Sequence, residues 1–224
     1  HSFGSWFLRK FAEYSGLEKN FTVYDDNDMA ILLKKACPNL SAKDVKILAH
    51  QISLAKEYCL GLQDDLSIIG SEYDLNQIYS DYTSRLRSTG NADFGDLIML
   101  PVLVMQKYPQ IADYIHRRFK VILVDEYQDS NIAQYKLLQE LSGIKDGFDT
   151  YVCVVGDDDQ SIYHFRGAEV QNILTFPDKF PGTKIIKLET NYRSTSKILR
   201  AASLVVSKNH GRLGKELIAD RGEG

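Results

Sequence analysis

No window of the 224-residue chain reaches the roughly 18 consecutive apolar positions that a membrane helix needs. Nothing at its start resembles a signal peptide, which points to an intracellular, cytoplasmic protein with no membrane partner. Cysteine is scarce: Cys37, Cys59 and Cys153 are odd in number and form no C-x-x-C pair. That pattern indicates reduced thiols and neither a disulfide framework nor a zinc site. An excess of positive charge is also missing, with 27 Lys and Arg against 30 Asp and Glu and a formal net charge of −3. Whole-chain charge therefore lends no support to a phosphate-coated partner. Only residues 116–120 and the tail around Lys208, Arg212, Lys215 and Arg221 are locally basic. There is no internal repeat and no low-complexity linker.

What is present is an ordinary globular composition and two apolar runs that end in acids. Val121-Ile122-Leu123-Val124 leads into Asp125-Glu126-Tyr127-Gln128-Asp129, and Tyr151-Val152-Cys153-Val154-Val155 into Gly156-Asp157-Asp158-Asp159. A short run without alternation predicts a strand buried on both faces of a parallel sheet. Its acids then lie at the carboxyl end, where open α/β sheets place their ligands. Two such strands suggest a divalent metal and a phosphate between them. A third strand is predicted over residues 184–188. With helices between, the order is β-α-β-α-β, which implies parallel strands joined by right-handed crossovers.

The remainder reads mostly as helix. Trp6, Phe7, Phe11 and Tyr14 fall on helical spacing in a segment that ends at Gly16. A short strand is expected near Phe21 to Tyr24. Asp25-Asp26-Asn27-Asp28 reads as a helix N-cap before Met29; the glycine and distal glutamate of a calcium loop are missing. Ser41-Ala42-Lys43-Asp44 starts another helix, and Tyr73, Leu75, Ile78, Tyr79, Tyr82 and Leu86 form a further stripe. Asn91-Ala92-Asp93-Phe94 is expected to cap a helix through Leu103, Pro109 to begin one reaching Arg118, and Ser130-Asn131 to cap the next. A last helix is expected over residues 195–207. The middle of the chain reads as a small helical insertion.

Three groups of residues could carry chemistry. Asp125 could reach a magnesium ion while Glu126 orients or deprotonates a water; an acid-rich loop or a helix cap explains the same pair. Tyr163, Phe165 and Arg166 alternate aromatic with guanidinium, an array suited to stacking on bases and holding a phosphate. An aromatic plug in the core is the other reading. Tyr192-Arg193 follows the third predicted strand, where Arg193 could pair with an acid or clamp a phosphate.

Taken in order, V-D-E-Y-Q-D-S, V-G-D-D-D-Q-S-I-Y-H-F-R-G-A and L-E-T-N-Y-R-S strongly resemble motifs II, III and IV of UvrD/Rep-type superfamily 1 DNA helicases. His1-Ser2-Phe3 looks like the end of the family's motif Ib. Asp93-Phe94-Gly95-Asp96-Leu97 is similar to its D-F-D-D-L segment, with Gly95 in place of the usual acid. Asn209 to Lys215 resembles the sequence that follows motif IV. The resemblance implies a RecA-like (P-loop NTPase type) parallel sheet flanked by helices, with an inserted all-helical subdomain. It places part of the first core domain in residues 1–24 and 91–185, the insertion in 25–90 and the start of the second core domain in 186–224.

The resemblance also implies roles. Asp125 holds Mg2+, Glu126 activates the hydrolytic water, and Gln160 senses the γ-phosphate of ATP. Tyr192 stacks on the adenine and Arg193 contacts the γ-phosphate as an arginine finger. Tyr163 and Phe165 lie under single-stranded bases, Arg166 meets a phosphate, and His1 and Ser2 line the DNA track. The expected activity is ATP-driven 3′-5′ translocation on single-stranded DNA with unwinding of duplex DNA. One necessary part is missing from these residues. No G-x-x-x-x-G-K-[ST] loop occurs; Gly214-Lys215 is followed by Glu216 and lacks the earlier glycine. The start at His1 without a Met and the end at Gly222-Glu223-Gly224 suggest an internal fragment, with that loop upstream of His1. A fragment of this kind is expected to be inactive alone. Two rivals are a non-catalytic nucleic-acid- or protein-interaction module derived from the same fold, and a metal-dependent phosphohydrolase or nuclease built on Asp157-Asp158-Asp159.

Overall fold

A computed structural model describes residues 1–160, 171–208 and 214–223. The chain divides into two compact units, His1–Leu123 with Asn131–Cys153, and Val124–Ser130 with Val154–Gly224. Tyr163, Phe165 and Arg166 lie outside the described residues, as does most of the Asn209 to Lys215 segment.

The first unit is mainly helical. Helix α1 (Ser2–Lys10) is followed by α2 (Ala12–Ser15), and the break at Phe11 (φ −114°, ψ 38°) splits what the aromatic spacing reads as one helix. Gly16 closes α2 in the left-handed conformation, φ 70°, which costs glycine little. After strand β1 (Val23–Tyr24) come α3 (Asp26–Ala36), α4 (Ala42–Glu57) and α5 (Leu75–Ser88). The starts of α3 and α4 are set by capping boxes, Asp25 with Asp28 and Ser41 with Asp44, as the sequence indicates. Helices α3 to α5 enclose one apolar core containing Leu33, Leu48, Ile52, Tyr79, Tyr82 and Leu86. A second core forms around α1, α6 (Asp96–Lys107), α7 (Pro109–Arg118) and α8 (Ile132–Ser142), with Phe7, Leu8, Leu97, Val102, Met105 and Ile115 at its centre.

Strand β2 (Ala92–Asp93) precedes α6 and pairs in parallel with β1, Val23 opposite Ala92 and Tyr24 opposite Asp93. The segment expected to act only as a helix cap is thus partly strand. The N-cap position is Gly95, without a side-chain cap; Asp93 instead bonds the first helical residue, its Oδ1 accepting the Asp96 N–H at 3.0 Å while Asp96 Oδ2 accepts the Asp93 N–H at 3.2 Å. Between the two cores these carboxylates are almost wholly buried, and so is Lys56 of α4, 1% exposed. The Lys56 ammonium lies 2.6 Å from Asp93 and 2.8 Å from Asp96. Arg87 donates to Asp96 at 2.9 Å and the Tyr82 hydroxyl to Asp93 at 2.9 Å. Two cations thus balance two anions, and each carboxylate takes several charge-assisted bonds.

Strands β3 (Val121–Val124) and β4 (Tyr151–Val154) form a second pair. The Tyr151 N–H donates to the Lys120 carbonyl at 2.9 Å and the Val155 N–H to the Val124 carbonyl at 2.7 Å; the constant offset means both strands run the same way. In the second unit follow α9 (Gln171–Leu174), α10 (Phe176–Lys179), β5 (Thr190–Asn191), α11 (Ser196–Val206) and β6 (Ile218–Ala219). Strands β5 and β6 pair in parallel.

Two expectations need correction. Strand β3 is not buried on both faces: Val121 and Leu123 are exposed, Leu123 by 73%. Alternate side chains of a strand point to opposite faces, and only one face of β3 is covered here. Residues 184–188 form no strand, and Leu188 is 80% exposed. An apolar stretch becomes a strand only where a neighbour completes its ladder, and β6 meets the chain two residues later, at Thr190 and Asn191.

Candidate functional site

Where β3 ends, the backbone turns sharply. Asp125 Oδ1 accepts the Glu126 N–H at 2.9 Å, and Glu126 adopts φ 50°, ψ 41°. The left-handed region costs a non-glycine residue about 1 kcal/mol and such outliers concentrate at functional sites. A 3₁₀ turn, Tyr127–Asp129, follows. Its first N–H donates to the Val155 carbonyl at 2.9 Å, and the buried Tyr127 ring meets Phe176 edge-on, centroids 5.6 Å apart. This anchoring fixes the turn on the end of the strand pair while leaving the Asp125 and Glu126 side chains exposed.

The loop after β4 is tied to that turn through Gln128, which is 2% exposed. Its Nε2 donates to Glu126 Oε2 at 2.7 Å and its Oε1 accepts the Asp157 N–H at 3.0 Å. Asp157 in turn takes a bond at 2.6 Å from Nε2 of Gln160 and at 3.0 Å from the Asp159 N–H. The Lys215 ammonium bonds Asp157 and lies 3.6 Å from Asp159. Burial alone would raise the Asp157 carboxyl, but the bonds from Lys215 and Gln160 outweigh it and hold it below the usual carboxylate range.

The acids Asp157, Asp158 and Asp159 do bring one oxygen each within 4.8 Å of one another. Lys215 already supplies a cation to two of them, so the cluster reads as a lysine clasp. Oxygen donors on the neighbouring turn suit magnesium, a hard cation. Asp125 is exposed there, and Asp129 Oδ1 is buried with no hydrogen-bond partner among the described residues.

The other predicted site residues are placed as follows. Tyr192 and Arg193 occupy the turn after β5, where Asn191 Oδ1 accepts the N–H groups of Arg193 at 3.0 Å and Ser194 at 2.8 Å. Both side chains are exposed, and no hydrogen bond among the described residues joins them to Asp125 or Glu126. His1 and Ser2 lie at the start of α1, with the His1 ring edge-on to Phe94 at 5.5 Å. The second unit therefore links Asp125, Glu126 and Gln160 in one bonded array and carries Tyr192 and Arg193 on a separate turn. Gln128 and Lys215 belong to that array too; the sequence marks Gln128 as part of the V-D-E-Y-Q-D-S run and Lys215 as part of a basic tail, but gives neither a role of its own. A buried amide between two acid-rich loops carries no periodic signal.

Acids gathered at the carboxyl end of a parallel strand pair, with a helix between the strands, mark an α/β protein whose exposed carboxylates lie where such sheets place ligands. Residues 1–181 match the UvrD/REP helicase N-terminal domain family. The chain belongs to this family, which implies a RecA-like fold. It is 42% identical to the ATP-dependent DNA helicase UvrD1 of Mycobacterium tuberculosis, over 93% of this chain and 29% of the relative. Identity is 37% to the ATP-dependent DNA helicase PcrA of Bacillus subtilis, over all of this chain and 31% of the relative. It is 36% to the ATP-dependent DNA helicase Rep of Escherichia coli, over all of this chain and 33% of the relative. The chain thus spans about a third of the length of these relatives. Among the described residues no helix is long and apolar enough to cross a membrane.

Proposed function

We propose that the full-length protein carrying this chain is an ATP-dependent DNA helicase that couples Mg2+-dependent ATP hydrolysis to 3′-5′ movement on single-stranded DNA. The observation that carries this reading is the bonded array of Glu126, Gln128, Asp157 and Gln160 beside Asp125. It joins the group suited to activating water to the group suited to sensing a γ-phosphate. Family membership and the relatives' names, all ATP-dependent DNA helicases, support the same reading.

In this reading Asp125 would hold magnesium, which would supply positive charge to offset that of the ATP phosphates. Glu126, exposed and with a left-handed backbone, takes the proton of the attacking water. Gln160 hydrogen-bonds the γ-phosphate, Tyr192 stacks on the adenine, and Arg193 stabilises the charge that develops during transfer. Tyr163, Phe165 and Arg166 contact the unpaired strand, and His1 and Ser2 border its track. Residues 1–24 and 91–185 form part of one core domain, 25–90 a helical insertion and 186–224 the start of the second core domain. The separate apolar core of α3 to α5 supports the insertion.

The test is ATP turnover and duplex unwinding by the full-length protein with magnesium. Single-stranded DNA is expected to stimulate turnover, and duplexes with a 3′ single-stranded tail to unwind in preference to those with a 5′ tail. Turnover that ignores DNA, or no turnover at all, would sink the reading in favour of an interaction module.

A further inference from the structure

A carboxylate in solvent is a poor general base unless something aims it. We infer that Gln128 is the positioning residue for Glu126, holding its carboxylate and the Gly156–Asp157 backbone at a fixed separation. The inference rests on the catalytic role proposed for Glu126.

Gln128 is buried and uses both ends of its carboxamide, Nε2 donating to Glu126 Oε2 at 2.7 Å and Oε1 accepting the Asp157 N–H at 3.0 Å. The partners fix which end is which. An ionised carboxylate only accepts and a backbone N–H only donates, so the amide has one orientation that satisfies both. Few side chains fill this place. Glutamate keeps the acceptor but loses the donor, methionine keeps the length but loses both, and asparagine is one methylene too short. The surroundings are shaped to the amide as well. A Cβ at Gly156 would lie 2.6 Å from Gln128 Oε1 and 3.2 Å from its backbone N, so only glycine lets the two loops approach this closely.

The bond to Glu126 separates this reading from a merely structural one. A glutamine needed only to hold the Asp157 loop could give its buried Nε2 to any acceptor and need not donate to the carboxylate proposed as the base. Here it does so, and the connection continues through Asp157 Oδ2 to Gln160 Nε2 at 2.6 Å. Glu126 and Gln160, at opposite ends of this chain of bonds, are therefore set together by one buried side chain.

The experiment uses the full-length protein and four variants, Gln128→Glu, Gln128→Met, Gly156→Ala and Glu126→Gln. Four quantities are read: DNA-stimulated kcat, KM for ATP, melting temperature, and hydrogen exchange at the Asp157 amide. In Gln128→Glu the acceptor remains, so Asp157 stays protected, yet kcat falls about 10- to 100-fold, as for loss of a group that orients another. Its KM stays near wild type, while its melting temperature falls somewhat, because a buried carboxyl now faces Glu126. Gln128→Met and Gly156→Ala lower kcat similarly and also speed Asp157 exchange. Wild-type kcat in both Gln128→Glu and Gln128→Met overturns the inference. A fall in kcat that comes only with a raised KM and a lowered melting temperature overturns it too, since that is the mark of a structural role. Glu126→Gln keeps the two readings apart. If it is inactive while the Gln128 variants turn over normally, Glu126 keeps its role and the positioning claim alone fails. If it turns over normally, the catalytic reading of Glu126 fails and the inference goes with it.

Discussion

Gly95 is the residue at which sequence and structure explain each other best. The similarity to D-F-D-D-L marks it as a departure but gives no reason for it. A Cβ at that position would lie 2.8 Å from both Cβ and Cδ of Lys56, so a side chain there collides with the buried lysine stem. Gly95→Ala should destabilise by about 1–3 kcal/mol, the usual cost of overpacking. Lys56→Met should cost more, about 3–5 kcal/mol, because it leaves two buried carboxylates to share Arg87 and Tyr82. Urea denaturation of each variant checks both values, and a Lys56→Met protein as stable as wild type would refute the second. The same network sets an acid limit. Burial works to raise the Asp96 carboxyl, but Lys56 and Arg87 bring it down to about 2 from an ordinary 3.8. A depressed carboxyl stabilises the fold above its unfolded pKa and ceases to do so as pH falls through the folded one. Stability should therefore drop between about pH 4 and pH 2 in wild type, and less steeply in Asp96→Asn, as denaturation across that range would show. None of this could be read from sequence, because Lys56 and Asp93 are 37 residues apart and a lysine on a helix ordinarily faces water.

At the scale of elements, helices were legible and strands only in part. Capping chemistry is local: Asp25, Ser41 and Asn131 each bond an N–H within three residues, so a short window of sequence contains the whole signal. Asn131→Ala, which removes the cap of α8, should cost about 1 kcal/mol, measurable by thermal or chemical denaturation. An unchanged midpoint would show that the box with Gln134 does not hold the helix start. Strands depend on partners from elsewhere. The apolar run of β3 marked a strand correctly, yet its exposed alternate face and the missing strand at 184–188 were set by what lies alongside, which no window of sequence contains. The site shows the same division. Asp125 and Glu126 stood out because they sit together at a strand end, whereas Gln128 acquires its meaning only from the loop that folds against it.

At the scale of the whole molecule, these residues hold the acid side of a proposed ATP site without a phosphate-cradling G-x-x-x-x-G-K-[ST] loop. The 224-residue chain alone should therefore hydrolyse little or no ATP, even with magnesium and single-stranded DNA. Turnover by it at the rate of the full-length protein would contradict that division of labour. The most direct test of the account is DNA-stimulated ATP hydrolysis by full-length Glu126→Gln, with ATP binding measured alongside. Removing a general base typically lowers kcat by about 10²- to 10⁴-fold; a loss of that size with ATP binding retained is the result the account predicts. Wild-type turnover in Glu126→Gln would contradict it, and would return the acids beyond β3 to the status of a capped, acid-rich turn.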